Sequence, residues 1–228
     1  MSSAAEGIWV LGNKWLKDGN FPQAIREFKM AIKFDPKHFK SWKGMGLAYY
    51  HMGAFKEAID SFQKATNIKP KDADTLAFMG GAYGASGNFN NALECCQKAL
   101  EIDSNNAYAY YYMACVYGPK GDNEKALEYC QKAVEINPKY VAALSAMGAA
   151  YAELGQYDEA IQCSERILSI NPKFADAFIL KGGVYFKKGE YQKAIENFEE
   201  AVKLNPGNPR AKNALQVAKA VFKEKGEF

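Results

Sequence analysis

Apolar residues return along this chain at helical spacing, in short blocks separated by polar or glycine-containing stretches. Trp42, Met45, Gly46 and Tyr49 fall on one face of a helix, and Ala58, Phe62 and Ala65 fall on one face of the next. The pattern then begins again, with a period of 34 residues. Prolines stand at Pro36, Pro70, Pro138, Pro172 and Pro206, and Ser104 takes the vacant slot. Glycine recurs at Gly19, Gly53, Gly87, Gly121, Gly155 and Gly189, and an aromatic at Trp15, Tyr49, Tyr83, Tyr117, Tyr151 and Tyr185. Alanine recurs at Ala24, Ala58, Ala92, Ala126, Ala160 and Ala194.

Each column has a physical reason. The glycine lies between two helical patterns, where a left-handed backbone is cheap only without a Cβ. The proline follows the second helix and stops it. Small residues let neighbouring helices approach closely, and the aromatic fills the space beside them. Each unit therefore predicts two antiparallel helices joined by a short turn, and no strand is expected. The units are residues 5–38, 39–72, 73–106, 107–140, 141–174 and 175–208, after a tail of residues 1–4. Residues 209–228 start no seventh unit. Ala211, Ala214, Leu215, Ala218, Val221 and Phe222 form one stripe, opposite Lys212, Asn213, Gln216, Lys219 and Lys223. A repeat array needs such a one-sided helix to close its core.

Composition narrows the picture. Of the 228 residues, 48% are hydrophobic and 24% charged, enough for a packed core and against disorder. A net charge of +3 does not argue for nucleic acid. No apolar run approaches the roughly 18 residues of a membrane span, and the start lacks the features of a signal peptide. Five cysteines without metal-ligand spacing point to a reducing compartment, so a cytoplasmic protein is expected. Charge is uneven: the first two units and residues 209–228 are net basic, while the third and fifth units are net acidic.

The pattern Trp42, Met45, Gly46, Tyr49, Ala58, Phe62, Ala65 and Pro70 resembles the tetratricopeptide repeat, and the resemblance covers residues 5–208. It implies an all-α, right-handed superhelical solenoid of six helix-turn-helix units with a C-terminal capping helix. Departures are local. Cys96, Cys130 and Ser164 stand where Phe28, Phe62 and Phe198 stand in other units, which loosens the packing of the third to fifth units. Ile167 replaces a small residue and Lys181 an apolar one.

The resemblance further implies that first helices line a concave groove, so the informative surface is theirs. It places Asn13 and Lys17 of the first unit there, with Lys40, Lys43, Leu47 and Tyr50 of the second. Tyr108, Tyr111 and Cys115 follow from the fourth, Ser145 from the fifth, and Ile179 and Phe186 from the sixth. The third and fifth units offer mainly small residues, among them Ala77, Gly81, Ala142 and Ala149, so the two tyrosines are expected beside an open trough. Lys17, Lys40, Lys43 and His51 cluster at the amino-terminal end, where they would favour an acidic ligand segment. The carboxylate clamp of chaperone-binding members is not expected. Asn13 fits it, but Trp9, Gly44, Asp74 and Phe78 occupy columns where Lys, Asn, Lys and Arg would be wanted.

Chemistry finds little support. His38 and His51 belong to no recognised catalytic motif, and no phosphate loop is present. Cys96 and Cys130 share one interior column, so buried thiols are expected rather than a redox pair with Cys95. The sequence predicts a non-enzymatic scaffold without cofactor or metal, binding an extended peptide or helix of a partner protein. The alternative is a self-assembling scaffold, through head-to-tail or groove-to-terminus contacts. RNA binding would need a basic groove, and the acidic middle argues against it.

Overall fold

The computed structural model describes residues 3–225. Thirteen α-helices occur among them: α1 (Ser3–Lys17), α2 (Phe21–Phe34), α3 (Phe39–His51), α4 (Phe55–Ile68), α5 (Ala73–Ala85), α6 (Phe89–Ile102), α7 (Ala107–Tyr117), α8 (Asn123–Ile136), α9 (Val141–Glu153), α10 (Tyr157–Ile170), α11 (Ala175–Lys188), α12 (Tyr191–Leu204) and α13 (Pro209–Glu224). A short 3-10 turn, Gly118–Lys120, follows α7, where Pro119 removes the amide a longer helix would need. The fold is an all-α repeat array. It divides into two compact units, Met1–Val116 and Tyr117–Phe228.

All six recurring glycines adopt left-handed φ between 74° and 84°, and no other residue has positive φ among those described. At each, a side chain would clash with its own backbone, so the turn inside every pair selects glycine. The turns between pairs work differently. The Asp35 side chain accepts a hydrogen bond from the Lys37 amide at 3.0 Å, and Asp103 accepts one from Asn105 at the same distance. The second of these turns contains Ser104, so the side-chain bond holds the turn where proline is missing.

In the first unit, Phe28 is fully buried, and a Cβ on Gly12 or Gly44 would come within 2.7 Å and 2.6 Å of its ring. One ring thus packs against both α1 and α3. Phe62 lies against Gly46 in the same way. In the next pair the interior residue is Cys96, whose sulfur would stand 2.7 Å from a Cβ on Gly80. The smaller side chain is met by closer backbone, and Cys96 is fully buried.

In the second unit, Ser164 is buried and bonds the Ala160 carbonyl at 3.1 Å. Ile167, one helical turn on, is also fully buried, and supplies bulk that Ser164 lacks. Lys181 keeps an apolar position by laying its stem inward and reaching Glu165 at 2.8 Å. Helix α13 packs on α11 and α12. It buries Ala211 and Ala218 against Ile179, Ile195 and Phe198, with Leu215 and Phe222 half-covered.

Candidate functional site

The first helices of the amino-terminal unit carry a connected series of aromatic rings. Tyr108 on α7 lies over Phe78 on α5, with centroids 4.8 Å apart. Phe78 meets Tyr112 edge-on at 6.3 Å, and Tyr112 meets Tyr50 of α3 edge-on at 6.2 Å. Tyr50 touches His51, which stacks on Phe21 at 5.2 Å. Helix α7 places Tyr108, Tyr111, Tyr112 and Cys115 on adjoining positions because residues three and four apart share a face.

Two hydrogen bonds run between members of this series. The Tyr112 hydroxyl donates to Tyr50, and the Tyr111 hydroxyl donates to the Cys115 sulfur. Burial pushes the Tyr50, Tyr111 and Cys115 protons to higher pKa, so all three stay protonated at neutral pH. Cys115 is accessible to solvent yet crowded by neighbouring side chains, which accounts for both its exposure and its raised pKa. Burial lowers the pKa of His51.

This arrangement corrects the expected open trough. A side chain on Gly81 would collide with the Tyr112 ring, so on the α5 side the space is filled by Tyr112. Tyr112 is 8% exposed, whereas Tyr108 is 37% exposed and Tyr111 is half-buried. The sequence reading missed Tyr112 as a participant. Phe78 and Tyr112 stand one period apart, and that register was the available signal.

Lys40 and Lys43 are also not free. Lys40 pairs with Glu6 at 2.6 Å and lies 4.5 Å from the centre of the Trp9 ring. Lys43 reaches Asp72 at 3.0 Å and Asp74 at 3.5 Å, and Asp74 accepts from the buried amide of Asn106 at 2.8 Å. Two of the four basic side chains expected at this end are therefore paired within the chain. Lys17 is exposed, while Asn13, Leu47 and Tyr50 are half-buried.

Among the candidates of the second unit, Ser145 is half-buried on α9. Phe186 is half-buried and meets Tyr191 edge-on at 5.3 Å. Ile179, expected in the groove, is 5% exposed and belongs to the core that α12 and α13 close over it, with Phe198, Ala211 and Ala218.

One chain of contacts has the residue types of a hydrolytic triad. His38 lies 2.8 Å from the Ser41 hydroxyl and 3.1 Å from Glu6. Ser41 is fully buried and His38 is 3% exposed, so no substrate reaches the hydroxyl. The three residues tie the start of α3 to α1. Among the described residues, no group of His, Cys, Asp and Glu could hold a metal ion, and no helix is long and apolar enough to cross a membrane.

Profiles of the tetratricopeptide repeat match residues 39–72, 73–106 and 175–208, and two related profiles of the repeat match 95–128 and 120–183. The matches run without a gap from residue 39 to 208. No curated protein matches the chain in sequence. Among solved structures, a chain of the APC/C hetero-tetramer Cut9–Hcn1 is similar, at 23% identity and a TM-score of 0.84, over 94% of this chain. This chain spans only 42% of that one. PilW, a type IV pilus biogenesis factor, is 20% identical with a TM-score of 0.76, covering 94% of this chain and 100% of its own. YrrB, described as a tetratricopeptide protein with an unusual peptide-binding site, is 24% identical with a TM-score of 0.57, covering 83% and 97%. With repeat columns, helix pairs and left-handed glycines all in register, the chain belongs to the tetratricopeptide-repeat family.

Proposed function

We propose that this chain is a non-enzymatic scaffold that holds an extended peptide or a helix of a partner protein against the ring series of its amino-terminal unit. Tetratricopeptide proteins generally mediate protein–protein interactions. The observation that carries the reading is Tyr108, a large amphipathic ring exposed over Phe78 and supported from below. Exposed tyrosines on a rigid support are the residues that dominate binding energy when a partner covers them. Nothing in the surroundings of Ser41 or of the cysteines supports a catalytic alternative.

The test is selection of displayed random peptides on the immobilised protein, with the Tyr108→Ala variant as counter-selection. Enrichment of peptides that lose affinity for the variant supports the reading. Peptides that bind parent and variant alike would place the interaction elsewhere. Sedimentation of the unliganded protein over a range of concentrations distinguishes the competing self-assembling scaffold.

A further inference from the structure

Helices α1, α3, α5, α7, α9, α11 and α13 stand one period apart, so their residues compare column by column. Ser41, Met45 and Ala48 lie on one face of α3 and are all buried, the last two in a cluster with Phe28 and Ile25 of α2. The same three columns are buried on α5, α7 and α9. On α11 and α13 the middle residue, Lys181 or Leu215, is half-buried and the other two are buried. On α1 the columns hold Gly7, Leu11 and Lys14. All three are exposed, Leu11 at 43%, and Val10 beside it at 57%. Elsewhere this stacking face lies under the second helix of the unit before: α2 on α3, α4 on α5, α8 on α9, α10 on α11 and α12 on α13. Among the described residues, α1 packs on α2 and α3, and no helix covers its stacking face.

A terminal helix of a repeat array needs a polar outer face. Helix α13 has one, with Lys212, Gln216 and Lys223 exposed. Helix α1 does not, because Ala4, Gly7, Val10 and Leu11 make an exposed apolar stripe at helical spacing. Charge says what suits that stripe. Lys14 stands where the other six helices have a buried Ala or Val, and Lys17 follows one turn on, also exposed. Neither lysine pairs with a carboxylate of the described residues. The structure shows how a lysine on a stacking face is covered: Lys181 of α11 meets Glu165 of the overlying α10 at 2.8 Å. A helix lying over α1 has to bring carboxylates in the same way, since a covered lysine without one is costly. A second copy suits the face less well. The exposed charges of α13 are Arg210, Lys212, Lys219 and Lys223 against Glu224, and like charges repel.

We propose that the stacking face of α1 is a docking site for an acidic amphipathic helix of a partner protein, which lies on α1 as α10 lies on α11. The site shares no residue with the ring series, and the two stand or fall separately.

The experiment is fluorescence anisotropy on the full chain with two labelled peptides. Both carry the α10 sequence, Tyr157–Ile170, and both are stapled on the outward side, because so short a helix is marginal in water. The first keeps its acidic residues, and the second carries Asp158→Lys, Glu159→Lys and Glu165→Lys. The acidic peptide should bind the parent chain, and the lysine version about tenfold more weakly. Leu11→Asp in the chain should weaken the acidic peptide about tenfold, since it puts an unpaired charge under the docked helix. Lys14→Glu combined with Lys17→Glu should reverse the preference between the two peptides. All three positions are exposed, and circular dichroism checks that the variants fold as the parent does. Tyr108→Ala should leave acidic-peptide binding unchanged. The proposal is overturned if neither peptide binds, if both bind equally, or if Tyr108→Ala abolishes binding that Leu11→Asp leaves intact. A dimer in sedimentation that Leu11→Asp dissolves would make the face a contact between copies and overturn the partner helix as its occupant. None of these outcomes bears on the ring series, which peptide display with Tyr108→Ala tests by itself.

Discussion

The ring of Tyr112 occupies the volume that a side chain at Gly81 would need. This single juxtaposition sets the ring series, because Tyr112, seated there, is the hub that touches Tyr50, Phe78 and Tyr111. Gly81→Ala gains helix propensity but forces the ring aside, and should lower stability by about 1–2 kcal/mol. Gly7→Ala is the control. Nothing lies within 4 Å of a Cβ there, so this variant should gain about 0.5–1 kcal/mol. Denaturant midpoints of both variants check the pair.

Tyr108 and Tyr112 are expected to part company on truncation. Tyr112→Ala leaves a cavity in a packed position, and stability should fall by about 3 kcal/mol. Tyr108→Ala removes a partly exposed ring, with a loss below about 1 kcal/mol in stability and about 2 kcal/mol in peptide affinity. Thermal melts beside affinities for a selected peptide separate the two roles. A large stability loss in Tyr108→Ala would move that ring into the core.

The thiols should react in a fixed order. Cys115 is accessible and should label first in the native protein. Cys96 and Cys130 are fully buried and should label only on denaturation. Cys95 and Cys163 are buried as well, with pKa values pushed up to about 11 by burial. Because the Cys115 thiol is raised too, its labelling rate should keep climbing as pH rises above 9. Mass spectrometry of alkylated peptides against time and pH reads both features.

Ending the chain at Asn208 removes α13 and bares Phe198, Ile179 and Ala201. The melting temperature should drop by about 5 °C or more, and the protein should self-associate through the uncovered face. A monodisperse truncated chain with the parental melting temperature would show that α13 is not a cap.

Asp72 should contribute to the acid limb of stability. Burial acts against its charge, but hydrogen bonds from Thr75 and Lys43 outweigh this and hold its pKa below the usual value. A depressed folded pKa stabilises above the unfolded value of about 4 and is lost as pH falls through the lower folded one. Lys43→Met removes one of those bonds. It should cost about 1 kcal/mol at pH 7 and less at pH 3, measured by urea denaturation across that range.

The sequence by itself determined the helices, their pairing and their interior. A period of 34 residues is a local property, since each unit repeats the same glycine turn, helix stop and small-residue contacts over a short stretch. Phe62 against Gly46, and the buried Cys96 and Cys130, were legible for that reason. The surface was decided differently. Whether Lys40 and Lys43 point to solvent or fold back on Glu6, Asp72 and Asp74 depends on carboxylates about thirty residues away, in neighbouring units. Long charged side chains have many rotamers, and no periodic pattern selects among them. The same holds for Tyr112, whose ring fits against Gly81 on α5, and for Ile179, which lies in the core that α13 closes. Periodicity fixes which residues share a helix face, but only the packed neighbours decide which of them remain available to a partner.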